Sequence, residues 1–252
     1  MFESADLKIN RAQEHIGDLA KACDLFVKTH PYTLHIDNHS DAGTIGVEVR
    51  LGETIPTDLS LFLGDAIHNL RTALDHATWE LIRIDGGTQD RDTKFPVWGN
   101  QGGYESACNR IKTPLGDTKK LFIALAAYPG GVGEKLYGLN RLDNADKHNI
   151  LTPVVGVATV GEIKVVKPNG QSILTMTNCS FSMGPDGIAK LLGNIDPGLS
   201  VKFDQNSNTT LDIFFRDTEF FQGLPLIETL MDLSYSVSDV IGQFIKLVEA
   251  RK

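Results

Sequence analysis

Between residues 64 and 79 the chain reads Gly64-Asp65-Ala66-Ile67-His68-Asn69-Leu70-Arg71-Thr72-Ala73-Leu74-Asp75-His76-Ala77-Thr78-Trp79. The run is crowded with groups that move protons or grip anions. Histidine titrates near neutrality and can serve as acid or base. The arginine guanidinium forks onto phosphate oxygens. Placed on a helix at about 100° per residue, Leu63, Ala66, Ile67, Leu70, Leu74, Ala77 and Leu81 share one arc, which must face a core. Asp65, His68, Arg71, Thr72, Asp75 and His76 gather on the opposite arc with Trp79 among them. Lys and Glu, the usual fillers of a solvated face, are nearly absent from it. Arg71, His76, His68 and Asp75 are therefore the candidate catalytic side chains. The same residues also have plainer uses: an Arg71–Asp75 ion pair at i,i+4, and His68–Thr72 and Thr72–His76 hydrogen bonds.

A second dense cluster is Leu139-Asn140-Arg141-Leu142-Asp143-Asn144-Ala145-Asp146-Lys147-His148-Asn149. On a helix, Asp143 and Asp146 share a face at i,i+3, as do Asn144 and His148 at i,i+4. Asp143 and Lys147 are spaced for a surface ion pair, and Lys and His near a helix end suit its dipole. Antiparallel helices would set Asp146 and His148 against the polar face of the longer helix. Asn69, Asp146, Lys147 and His148 are accordingly the candidate substrate-binding residues. His68 and His76 lie about 12 Å apart along a helix axis, too far to ligate one metal from a single helix. A metal-dependent hydrolase would have to join His68 or His76 to Asp146 and His148, with Asp75 supporting a ligand.

Taken together, Gly64-Asp65…His68-Asn69-Leu70-Arg71-Thr72-Ala73-Leu74-Asp75-His76, then Phe95-Pro96, then Asp146-Lys147-His148, resemble a bacterial family of uncharacterised proteins. Its members share a G-D-x-x-H-N-L-R-[ST]-A-L-D-H helix and a later D-K-H. More loosely, Arg71-Thr72-Ala73-Leu74-Asp75-His76 resembles the Arg-x4-His signature of the HEPN superfamily of helical ribonucleases and nucleotide-binding domains. That resemblance implies a homodimer in which His76 handles the 2′-hydroxyl proton and Arg71 steadies the phosphate, with neither metal nor cofactor.

Composition narrows the partners. The chain of 252 residues carries a net charge of −8, whereas proteins that bind nucleic acid through bulk charge are basic. Contact with RNA or a nucleotide must come from a local basic site. The same balance argues against an anionic membrane surface. Cys23, Cys108 and Cys179 are scattered without paired spacing, which suits free thiols in a reducing compartment. The first residues lack a signal-peptide pattern, and no apolar run approaches the roughly 18 residues of a spanning helix. The expected location is the cytoplasm.

The elements that must position these clusters follow from periodicity and breakers. Helices are expected at 2–28, 58–84, 104–111, 117–127, 134–147 and 224–250. Strands are expected at 32–37 and 44–50 around a turn at Asn38–Gly43, and then at 153–160, 162–167, 171–182, 199–204 and 210–216. The fold class is α+β: a helical, bundle-like core with an antiparallel sheet in the C-terminal half and a C-terminal helix. The whole of 1–252 reads as one compact unit. It comprises a mainly helical 1–150 with an N-terminal hairpin, a β region at 151–222, and a helix at 223–252. The terminal helix, with its apolar stripe, could pack on the sheet or on a partner chain, and packing on its own sheet is the more common case.

Lesser signals complete the reading. His35, Asp37 and His39 alternate on a strand and could face a metal together, although Asn38–Gly43 has the chemistry of a turn. Gly130-Gly131-Val132-Gly133 lacks the Lys-Ser/Thr of a phosphate cradle. Cys108 has no neighbouring histidine to activate it. Three functions remain: a metal-independent HEPN-like RNA-cleaving or nucleotide-binding protein, a metal-dependent hydrolase, or a non-enzymatic protein whose two clusters form a buried polar network.

Overall fold

The structure, a computed structural model, describes residues 1–29, 31–39, 44–91, 93–183, 188–194, 196, 198–203, 210–215 and 220–252. It is an α+β fold whose strands lie mostly in the C-terminal half, apart from a hairpin between the first two helices. Contacts group it into two compact units where the sequence suggests one. The first comprises Met1–Lys21, Thr57–Thr152 and Arg216–Lys252, and the second Ala22–Pro56 and Pro153–Phe215. The physical reason is the early hairpin, whose strands pair with a strand far along the chain instead of with the helices that follow it.

The first unit is helical. It holds the first part of α1 (Glu3–Lys28), α2 (Thr57–Ile84), α3 (Gln101–Arg110), α4 (Gly116–Leu125), α5 (Glu134–Asp146) and α6 (Leu226–Glu249). Helix α2 is the axis of the unit. Leu63, Ala66, Ile67, Leu70, Leu74, Ala77 and Leu81 are all buried, as their spacing requires. Asp58 in its first turn and Arg83 in its last complement the helix dipole. Gly86, at φ 71°, ends it in the left-handed conformation that glycine adopts without strain. Helix α6 packs on α2 and α5, with its stripe of Leu230, Leu233, Val237, Ile241 and Phe244 buried. Phe244 meets Phe2 and Phe122, and Phe122 in turn meets Phe95. This aromatic chain ties the loop around Phe95 into the core.

The second unit is β-rich. Strands β1 (Tyr32–His39) and β2 (Thr44–Leu51) are antiparallel, and β2 also pairs with β5 (Ile188–Asn194), an element that periodicity does not reveal. The turn expected at Asn38–Gly43 falls largely outside the described residues. A second sheet is built on β3 (Pro153–Val166), which pairs with β4 (Ser172–Ser182) along one edge. Its other edge is shared by β7 (Thr210–Phe215) near Pro153–Thr159 and β6 (Ser200–Phe203) near Ile163–Val166. The two strands expected at 153–160 and 162–167 are thus one. Gly161 looks like a break, yet the pairing register with β4 is the same on both sides of it. No helix among the described residues is long and apolar enough to cross a membrane.

Candidate functional site

Arg71 is the most constrained of the expected site residues. It is buried although it lies on the polar arc. Its Nε donates to Asn140 Oδ1 at 2.9 Å, one Nη to Asp75 Oδ1 at 2.6 Å, and the other to the Phe95 carbonyl at 3.2 Å. Asp75 Oδ1 also accepts the Phe95 amide at 2.9 Å. Both backbone groups of Phe95 are therefore held by one i,i+4 pair on α2. Removing an arginine from water is costly unless its donors are met, and here all three directions are met by the protein itself.

His68 and the second cluster come together through a different residue. His68 Nδ1 lies 2.9 Å from Asp143 Oδ1, and Lys147 Nζ donates to Asp143 Oδ2 at 2.5 Å. The Asp143 side chain is only 3% exposed, so a buried carboxylate joins α2 to α5 through two potential cations. Thr72 Oγ1 sits 3.5 Å from His68 Nε2. Asn69 is buried on the other flank, donating to the Asp65 carbonyl and accepting from Lys8 Nζ. Asp146 lies against Gly64: a Cβ there would stand 2.6 Å from its Oδ2. Burial raises the Asp146 carboxyl above its ordinary range, and Asp143 and Asp65 add to the effect. His148 is exposed and makes no side-chain hydrogen bond to a described residue. Of the four residues expected to bind substrate, Asn69, Asp146 and Lys147 have separate side-chain engagements and His148 has none with a described residue, while Asp143, outside that set, joins the helices.

His76 turns elsewhere. Its Nδ1 is 2.5 Å from Ser4 Oγ, at the start of α1, in place of the expected partner Thr72. Arg71 and His76 are five positions apart on α2, about 140° around the helix, and they line different cavities. His76 lines one of about 600 Å³ with Glu3, Ser4, Asp75, Trp79 and Glu80. Arg71 lines one of about 560 Å³ with the 93–98 loop and α3.

This second cavity contains residues that spacing alone does not bring together. Arg71, Lys94, Arg110 and Lys112 line it against a single described carboxylate, Asp90, which pairs with Lys112 at 2.6 Å. Trp98 stands at its wall, 46% exposed, with the Arg110 guanidinium 5.8 Å from its ring centroid. Trp98 lies so close to α3 that a Cβ on Gly103 would be 1.9 Å from the ring, so glycine at 103 sets the position of the indole. Asn100 caps α3 by accepting the Gly103 amide, and Tyr104 anchors the helix to the Phe122 carbonyl. The one sequence signal for this cleft is the Phe95-Pro96-Val97-Trp98 run beside Arg110 and Lys112.

Among the described residues, no three His, Cys, Asp or Glu side chains are grouped to hold a metal ion. The side chains of Asp37 and His39 lie outside the described residues, while His35 Nε2 is 3.1 Å from Thr33 Oγ1. Cys108 is buried, which pushes its thiol up to about 11, so little of it is thiolate at neutral pH. Comparison with family models, with curated proteins and with solved structures returned no match.

Proposed function

We propose that the protein binds a nucleotide, with its phosphates among Lys94, Arg110 and Lys112 and its base at Trp98. The observation that carries this reading is the sign of the cleft. Four basic side chains face one described carboxylate in a chain whose net charge is −8. Local positive charge beside an exposed indole suits a ligand that is anionic at one end and aromatic at the other. Arg71 contributes field and shape from the wall, because each of its three nitrogens already donates to the protein. Free cysteines accord with a cytoplasmic setting. Within one chain Arg71 and His76 line separate cavities, so the reading rests on nucleotide binding at the basic cleft and not on RNA cleavage by that pair.

The test is calorimetric titration with ATP, AMP, UMP and inorganic phosphate at low and moderate salt. Saturable nucleotide binding that weakens with salt, and about tenfold or more in Arg110→Ala, is the expected result. Absence of saturable binding by all four ligands overturns it.

A second, non-enzymatic reading rests on the three guanidinium nitrogens of Arg71, each of which donates to a protein acceptor. In that reading the polar clusters fix how α2, α5 and the 93–98 loop pack.

A further inference from the structure

The cavity at His76 has a chemistry of its own. Ser4 is exposed, in the first turn of α1, and its Oγ is within hydrogen-bond reach of His76 Nδ1. With the ring proton on Nε2, Nδ1 accepts from the hydroxyl, which is the arrangement a general base needs to activate a serine. The turn that presents Ser4 is held from below. Phe2 is 98% buried, adopts φ 61°, and packs on Phe244. A bulky residue in the left-handed region is uncommon and persists only where its surroundings enforce it. The Ala5 and Asp6 amides both close onto the Phe2 carbonyl at the helix start, beside the cavity that Ser4 lines.

We infer that Ser4 and His76 form a nucleophile and base that transfer an acyl group from an ester to water. Ser4 Oγ bonds to the ester carbonyl carbon as its proton passes to His76 Nδ1. The carbon–oxygen bond to the alcohol breaks, and the alcohol leaves with that proton. Water then attacks the acyl-serine, giving a proton to His76 that returns to Ser4 Oγ as the carboxylic acid departs. The wall selects the ester. Trp79, 42% exposed, offers an apolar face. Glu3, Asp75 and Glu80 line the same space, with Asp75 and Glu80 engaged by Arg71 and Arg83. A neutral or cationic ester with an apolar acyl chain fits this lining, and an anionic one is disfavoured. This site is separate from the proposed nucleotide cleft, and either can fail without the other.

The experiment treats the full chain with phenylmethanesulfonyl fluoride and with p-nitrophenyl butyrate. Sulfonylation joins sulfur to Oγ, expels fluoride and leaves the proton on His76. The expected results are a single adduct mapped to Ser4 by peptide mass spectrometry and catalytic release of p-nitrophenol. Both should be lost in Ser4→Ala and slowed about 100-fold or more in His76→Gln. Trp79→Ala should raise KM for the butyrate while sparing the acetate ester. Equal melting temperatures show that these variants are folded. Should either variant melt lower, Ser4→Cys, with the nucleophile retained, must still acylate at residue 4. No adduct, an adduct elsewhere with Ser4 untouched, or equal labelling of the wild type and His76→Gln overturns the proposal.

Discussion

One oxygen of Asp75 holds both the Arg71 guanidinium and the Phe95 amide, so the ion pair on α2 also fixes a loop that is distant in sequence. Arg71→Ala would leave Asp75 without its cation and the Phe95 carbonyl without its donor. Removing one partner of a buried pair costs about 3 kcal/mol or more, and urea unfolding should show a loss of that order. Arg71→Lys keeps the charge but cannot make the fork, and should fall between the two. An unchanged urea midpoint in Arg71→Ala would mean that the pair is not structural.

The middle and last parts of the helical unit are joined by a second clamp. Asp85, with no exposed side-chain surface, accepts from Thr113, Thr118 and Arg251, and Arg251 also forks onto Asp117. Arg251→Ala should cost about 3 kcal/mol, measured by thermal or urea unfolding. The hydrogen bonds from Arg251 hold the Asp117 carboxyl below its ordinary range. Its contribution is therefore present above the unfolded pKa of about 3.9 and is lost as pH falls through the lower folded value. The acid limb of the stability curve should flatten in Arg251→Ala.

Asp146 behaves in the opposite sense. Its folded pKa is raised, first by burial, so folding favours the protonated form. The stability it contributes is complete below about pH 3.9 and declines as pH rises through the folded value. Asp146→Asn keeps an acceptor for the Leu151 amide and has no proton to lose. Urea midpoints followed upward from pH 4 should show the variant gaining on the wild type until the folded carboxyl has ionised. Parallel curves would contradict the burial argument.

The chain has two tryptophans, and each stands at a different cavity. Trp79→Phe leaves Trp98 as the sole indole emitter, and its fluorescence should respond to nucleotide. Trp98→Phe leaves Trp79, which should stay silent to nucleotide. Gly103→Ala drives a methyl into the Trp98 ring and should shift its emission and weaken nucleotide binding while touching no ligand directly. A nucleotide response from Trp79 alone would relocate the site.

Much of the architecture was legible in advance because helical periodicity survives burial. The core arc of α2 is occupied by the residues that the wheel assigns to it, and Arg71–Asp75 and Asp143–Lys147 pair as their spacing suggests. What a wheel cannot show is which neighbour claims a polar side chain. Arg71 looks available from its spacing to His76, yet Asn140 and the Phe95 backbone, both far along the chain, have taken it. His76 meets Ser4, whose place depends on how the first helix lies on the second. Strand β5 was hidden for a similar reason, since its partner is a hairpin near the opposite end of the sequence. Lys94, Arg110 and Trp98 carry no motif, and a loop and a helix must converge before they share a space.

Asp75 lines one cavity, its ion-pair partner Arg71 lines the other, and Thr93 borders both. The Arg71–Asp75 salt bridge and Thr93 are thus shared between the walls of the two compartments. An occupant that draws on Arg71 from one side changes the charge that Asp75 presents to the other, and the effect must run equally in reverse, because coupling free energy between two binding sites is reciprocal.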